Sequence, residues 1–358
     1  MLPSRWKLSS IRVSAMLPSR WKLSSIRVRE LLGQNLFVFA AVLIALFMSL
    51  RQVPTSLDDW NYLDYFDGNS LRTYWKRVED SWSHGFMSGM LALFLGEGLF
   101  SLFTTLLSTI LSPAWCIRLV VFLINFGVLF AARRHVCPWI FMVAWFMPSV
   151  GMVVLGYLQL RQGLALMLLL NLRDYPVAAA FASLGVHRTA VYAILHPIFI
   201  STWRRAVLAT AILLITIFSL LDLILVNADR GDDLLSQNLL VMNINWILDT
   251  SFLLILHILL LYDQNIKGST RWLLTISTII TASSVIGYFA APILTTRFAY
   301  YPFILYAFAL SDAMQRDLRG MRAQTIACAC GFAAIVAYDF VKFTANSDFF
   351  HSFRSLIF

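Results

Sequence analysis

Charge is scarce in this chain. Only 13% of its 358 residues are Asp, Glu, Lys or Arg, about half the share of an ordinary soluble domain. Cysteine is scarce too, at four residues, which excludes a disulfide scaffold. Cys328 and Cys330 lie inside one apolar run, and no pair of His residues with zinc-site spacing stands beside them, so no metal is expected and the cysteines read as small core residues. There is no Gly-x-x-x-x-Gly-Lys-Ser/Thr loop, no dinucleotide fingerprint, no His-Glu-x-x-His and no Gly-x-Ser-x-Gly. Those gaps exclude an attached NTPase, a zinc protease and an ordinary serine hydrolase, and no cofactor is implied. Acids are missing altogether from residues 1–29, which hold seven basic side chains.

Apolar residues are plentiful. They make up 59% of the chain, and the mean hydropathy is +0.74. The formal charge of +9 falls to about +2 once the basic tail is set aside. The basic pI therefore reports a tail ahead of a first apolar span, which is the positive-inside signal and no nucleic-acid surface. The composition predicts an all-α, polytopic membrane helical bundle with the lipid bilayer as its solvent.

Residues 1–13, MLPSRWKLSSIRV, recur unchanged at 16–28. The repeat reads as a duplicated start region, with Met16 an alternative start, and it is left out of fold reasoning. A cleaved signal peptide fits poorly, because the apolar stretch from Leu36 runs on to Leu50 without a small-residue cleavage site. The expected organisation is a basic cytoplasmic tail over 1–30, a transmembrane domain over 31–343 and a C-terminal tail over 344–358.

A spanning helix needs about 20 apolar residues. Candidate spans are 32–50, 85–111, 115–132, 138–148 (short), 150–172, 175–200, 206–226, 245–262, 272–291, 293–311 and 323–343, about eleven transmembrane segments. Loop charge puts the N-terminus inside and makes 51–84 and 227–244 outer loops. Arg133 and Arg134 then fall outside by simple alternation, so one segment between 85 and 148 is expected to be a half-helix or re-entrant.

Ionisable groups inside the apolar spans carry the functional signal, since an Arg at a helix centre costs about 2.5–3.5 kcal/mol on insertion scales. Arg161 lies near the middle of 150–172, and His187 and Arg188 near the middle of 175–200. The short connector around Arg173, Asp174 and Tyr175 predicts antiparallel neighbours. The three side chains then share one depth and can line one polar cavity; the alternative for Arg161 is to pin the bundle by pairing with a carbonyl or an acid. Glu97, between Gly96 and Gly98, reads either as the counter-ion of an Arg or as a general base. The outer loop reads Asp58-Asp59-Trp60-Asn61-Tyr62-Leu63-Asp64-Tyr65, and acids interleaved with rings suit sugars; an interfacial aromatic belt is the other reading. Arg297 with Tyr300 and Tyr301 forms a further pair, since the planar guanidinium matches phosphate oxygens. His196 and His257 read as structural.

The order of these pieces resembles the EpsG/Wzy-type polysaccharide polymerases over roughly residues 50–310. The pieces are Asp59 to Tyr62, then Glu97–Leu102, then Arg161-Gln162-Gly163-Leu164-Ala165, then His187-Arg188-Thr189-Ala190, then Arg297-x-x-x-Tyr301. The residue after Glu97 is Gly98, where Pro is common in that group. The resemblance implies a C-type glycosyltransferase-like membrane enzyme of the bacterial inner (cytoplasmic) membrane, with its active site facing the periplasm. Such an enzyme joins undecaprenyl-diphosphate-linked oligosaccharide repeat units in O-antigen, lipopolysaccharide, capsule or exopolysaccharide biosynthesis, beside a flippase and a chain-length regulator. The residues then divide by chemistry. Arg161, Arg188 and Arg297 are expected to bind the diphosphate. His187, Glu97 and Asp59 are the candidate catalytic bases, and Tyr62, Gln162 and Tyr301 the candidate sugar contacts. The reaction is expected to need no metal and no ATP. The competing reading is a flippase or transporter for the same lipid-linked oligosaccharide, for which inverted repeats would speak; none is evident.

Overall fold

The computed structural model describes residues 19–54, 57–135, 137–148, 151–187, 190, 193, 244–262, 266, 268–287, 300–314 and 322–345. Every regular element among them is helical. In chain order these are α1 (Ser19–Ser49), α2 (Leu57–Tyr65), α3 (Ser70–Ser83), α4 (Phe86–Leu95), α5 (Gly98–Ser108), α6 (Pro113–Ala131) and α7 (Pro138–Trp145). A π-helical segment, Gly151–Leu158, follows, and then α8 (Leu160–Asn171) and α9 (Pro176–Val186). The last are α10 (Ile244–Leu261), α11 (Gly268–Gly287), α12 (Tyr300–Ala313) and α13 (Ala323–Ala345). Pro113, Pro138 and Pro176 open their helices, at the one position where a missing N–H and a fixed φ cost nothing.

Three helices are long and apolar enough to cross a membrane: Leu32–Ser49 of α1, Pro113–Ala131, and Ala323–Lys342 of α13. The π-helical segment and α8 make a fourth if taken as one broken span. The described residues thus reach three or four spans, where about eleven were expected; 206–226 and most of 175–200 beyond His187 lie outside them. The chain is nevertheless a membrane-embedded helical protein. α1 shows why. Phe37, Ala41, Ala45 and Met48 recur every three or four residues and are buried, on the face that packs on α6. Leu36, Phe39, Leu43 and Phe47 on the other face stay half or more exposed among the described residues, an apolar surface suited to lipid.

Two expected spans are broken, and both breaks matter. Residues 85–111 divide at Glu97 into α4 and α5. Residues 150–172 divide at Gln159 into the π-helical segment and α8, which meet at 107°. Arg161 therefore stands in the first turn of α8, not at the midpoint of a straight helix. The bend is permitted by Gly163, where a Cβ would lie 1.9 Å from the Leu155 carbonyl oxygen. Asn125 of α6 holds the π-helical segment in place. Its Nδ2 donates to the carbonyls of Val121 and Gly156, both at 2.9 Å, and its Oδ1 accepts from Trp145 Nε1 at 3.0 Å.

The segment read as an outer loop, 51–84, is helical over α2 and α3. Asp59, Tyr62 and Phe66 are buried and recur at helical spacing, so α2 lays one face on the bundle. Its anchor is a buried ion pair between Arg51 and Asp59, each with a side chain only 1% exposed. Arg51 also lies 3.9 Å over the Tyr157 ring, and its backbone carbonyl accepts from Arg118 Nε at 3.2 Å.

Elsewhere the core is apolar, with polar groups satisfied locally. His257 is fully buried; its Nδ1–H donates to the Leu253 carbonyl at 2.8 Å and its Nε2 lies 2.5 Å from Ser277 Oγ on α11. It is a bridge between helices, in keeping with its structural reading. His196 lies outside the described residues, as do 227–243 and most of the C-terminal tail.

Breaking a buried pair from one side leaves a charge stranded, at about 3–5 kcal/mol. Asp59→Asn is therefore expected to lower the melting temperature of the detergent-solubilised protein sharply, and the joint replacement Arg51→Met with Asp59→Leu to recover most of the loss. Unchanged melting of Asp59→Asn would show that the pair does not anchor α2.

Candidate active site

The sequence Gly96-Glu97-Gly98 ends α4 and begins α5. Glu97 adopts φ 61°, ψ 40°, a left-handed conformation that costs a residue with a Cβ of order 1–3 kcal/mol and marks functional positions. The flanking glycines make room for it. The Tyr74 ring of α3 lies in the space their side chains would occupy, 2.8 Å from where a Cβ would stand at either one. Tyr74 is itself fixed by its hydroxyl, which donates to the Leu93 carbonyl at 2.9 Å, and burial raises its pKa above the ordinary phenol value, so it remains a donor.

Glu97 is 6% exposed and meets Arg161 in an ion pair. The Arg161 Nη1 that makes this pair also donates to Tyr65 Oη at 3.0 Å, and the guanidinium carbon lies 5.0 Å over the Tyr65 ring. The Arg161 backbone N–H, an unpaired donor of the first turn of α8, points to Tyr62 Oη at 3.4 Å. Phe100 of α5 holds both tyrosines by edge contacts, with ring centroids at 6.4 and 5.5 Å.

His187 completes the group. It caps the C-terminal end of α9, its N–H bonded to the Ser183 carbonyl at 2.9 Å, and its Nε2 lies 3.6 Å from Glu97 Oε1. α8 and α9 pack as a hairpin whose open end carries both Arg161 and His187. Of the three side chains expected to lie together, Arg161 and His187 do so, at helix ends and not at helix midpoints. With 12 and 11 residues, these helices run only about 18 and 16 Å, well short of a 30 Å hydrocarbon core.

The site is therefore an acid, a guanidinium and an imidazole at the meeting point of four helix ends, with two tyrosines behind. Such groups can hold an anion and exchange a proton. The Arg161 side chain is 25% exposed, so part of the guanidinium is open to a ligand, while its Nε is buried without a hydrogen bond among the described residues. Among the described residues no three His, Cys, Asp or Glu side chains gather as a metal site.

The other expected site residues divide. Tyr62 belongs to the group just described. Gln162 and Tyr301 are both buried and touch each other, the Tyr301 hydroxyl donating to the Gln162 carbonyl at 3.2 Å; Gln162 Oε1 is buried with no hydrogen-bond partner among the described residues. Asp59 is placed in the ion pair with Arg51. Arg188 and Arg297 lie outside the described residues. Tyr65, Tyr74 and Arg51 were not singled out from the sequence, although the three-residue spacing of Asp59, Tyr62 and Tyr65 on a helix carries the signal for Tyr65.

These features define a membrane-embedded helical protein with a polar, ionisable site at broken helix ends. The EpsG family model matches residues 34–355, nearly the whole chain, and the protein belongs to the EpsG family, a Wzy-like polysaccharide polymerase family. No curated protein and no solved structure matches it significantly.

The cradle around Glu97 is testable without an activity assay. Gly98→Ala pushes a methyl into the Tyr74 ring and is expected to destabilise by about 1–3 kcal/mol, as overpacking does. Tyr74→Ala in the same chain is expected to relieve part of this in a double-mutant cycle read by thermal unfolding. Strictly additive losses would show that ring and glycine do not press on each other.

Proposed function

We propose that the protein polymerises undecaprenyl-diphosphate-linked oligosaccharide repeat units on the periplasmic face of the bacterial inner membrane. In this reading it transfers the growing glycan from its lipid diphosphate to a hydroxyl of the incoming unit and releases undecaprenyl diphosphate. The observation that carries it is the Arg161–Glu97–His187 group, built at helix ends in a chain of a polysaccharide polymerase family.

The chemistry asks for two things. Negative charge grows on the leaving diphosphate as the anomeric carbon–oxygen bond breaks, and a fixed guanidinium aimed there favours the transition state over the ground state. Arg161 supplies that guanidinium. It carries five N–H donors, and the pair with Glu97 and Tyr65 occupies one nitrogen. The attacking hydroxyl must also lose its proton. Glu97 takes it, and His187, beside the same carboxylate, accepts or returns it. Arg188 and Arg297 are proposed to complete the diphosphate clamp, and Asp59 to act through the Arg51 pair that seats α2. Gln162 and Tyr301 are proposed as contacts to the lipid-linked substrate. The reaction draws on the activated diphosphate and so needs no ATP, and the guanidinium groups are proposed to stand in place of a metal at the leaving group. The basic residues ahead of the apolar run of α1 support an N-terminus in the cytoplasm, and a flippase and a chain-length regulator are the expected partners.

Purified protein in liposomes is expected to lengthen lipid-linked repeat units without nucleotide or ion gradient. His187→Ala is expected to slow this by about 10²–10⁴-fold, the usual share of acid–base catalysis, at normal membrane levels. Movement of the units across the bilayer without lengthening would overturn the reading, and so would a normal ladder from both His187→Ala and Arg161→Ala.

A further inference from the structure

A cleft of about 250 Å³ opens between the end of α2, α3 and the start of α5. It shares two walls with the site above. Tyr65, whose hydroxyl meets Arg161, lines it, and so does Gly96, next to Glu97. Its other walls are hydrophilic: Asp64, Asp67, Thr73 and Arg77 face it, with the Tyr74 ring at its side. Asp67 is held in place by Asn69, which donates its backbone N–H at 2.8 Å and its side-chain amide at 3.4 Å. α3 carries Arg72, Lys76, Arg77, Glu79 and Asp80 and is no spanning helix, so the cleft lies on the watery side of the shared walls Tyr65 and Gly96.

We infer that this cleft binds the terminal sugar of the acceptor, the unit whose hydroxyl attacks. The inference rests on the polymerase reading and assigns one of its two substrates to a place. Rings beside carboxylates, a hydroxyl and a guanidinium suit a pyranose, which offers an apolar face and a rim of hydroxyls. The volume lies just under the roughly 300–1,000 Å³ of drug-sized sites, which fits a sugar or two, not a whole lipid-linked unit.

Charge decides between donor and acceptor. The cleft has two acids to one base, so it repels a diphosphate. The donor's reacting carbon carries its diphosphate directly and must sit against Arg161. The acceptor's reacting hydroxyl is separated from its own diphosphate by the rest of the repeat unit. A negatively lined cleft walled by Gly96 can therefore admit only the acceptor's far end, and it brings a hydroxyl up beside the next residue, Glu97, the proposed base.

The test uses the full-length protein in liposomes with lipid-linked polymer as donor. The acceptor is the repeat-unit oligosaccharide freed of its lipid diphosphate by mild acid, which can accept but not donate. Thr73 is exposed, so Thr73→Trp fills the cleft without disturbing the core; Asp64→Asn is the second variant, with shape conserved. Each is expected to raise the KM for the soluble acceptor about tenfold while the KM for the donor stays within about twofold. Arg72→Trp, exposed on the same helix but outside the cleft, is expected to leave both unchanged. Unchanged acceptor KM in both cleft variants, or a loss confined to the donor, overturns the assignment. A normal rate from both Arg161→Ala and His187→Ala would instead overturn the polymerase site, whatever the cleft variants do.

Discussion

A buried guanidinium must find oxygen, and the fold around Arg161 is arranged to provide it. Glu97 supplies the opposite charge, Tyr65 a second acceptor and a ring face, and Tyr62 a partner for the backbone N–H at the start of α8. None of these oxygens is local to Arg161 in sequence. Each is carried in on another helix, so satisfying one cation ties together α2, α5 and α8. Removing any of them would leave a polar group in a medium where an unmade hydrogen bond costs its full desolvation.

The broken helices follow from the same need. A continuous α-helix spends its backbone N–H and C=O groups on itself and offers only side chains to a ligand. A helix that ends inside the bundle also offers its terminal backbone groups and partial charges. α4, α5, α8 and α9 are all too short to cross a bilayer alone, and they bring their ends to Glu97. Irregular backbone at such depth is tolerated where protein or a water-filled cavity surrounds it. The cleft beside Tyr65 and Gly96 adjoins this junction. The left-handed Glu97, paid for by the Tyr74 cradle, aims a carboxylate at the junction instead of along a helix face.

The Arg51–Asp59 pair is a second solution to burying charge, remote from Glu97 in sequence but continuous with it through α2. Asp59, Tyr62 and Tyr65 lie three residues apart, so one face of one short helix carries the ion pair at its start and the Arg161 contacts at its end. Disturbing Asp59 would therefore shift the two tyrosines that hold Arg161. This coupling separates a residue that positions the site from one that touches the reacting atoms.

Membrane class, helical content and three residues that the fold brings together, Arg161, Glu97 and His187, were legible in the amino-acid string, because hydrocarbon is a demanding solvent. Twenty apolar residues in a row admit one backbone solution, and an Arg161, Glu97 or His187 among them needs a reason to be there. The helix starts at Pro113, Pro138 and Pro176 lie within two residues of the expected span starts at 115, 138 and 175. The breaks were not. Residues 85–111 and 150–172 look like ordinary spans by hydropathy, since hydropathy sums over a window and is blind to direction. Whether Gly163 allows a 107° turn, or Glu97 turns left-handed, depends on Leu155 and Tyr74, which approach from elsewhere in the chain. In the same way nothing near Arg161 says which acid answers it, because the partner is chosen by packing between helices and not by spacing along one.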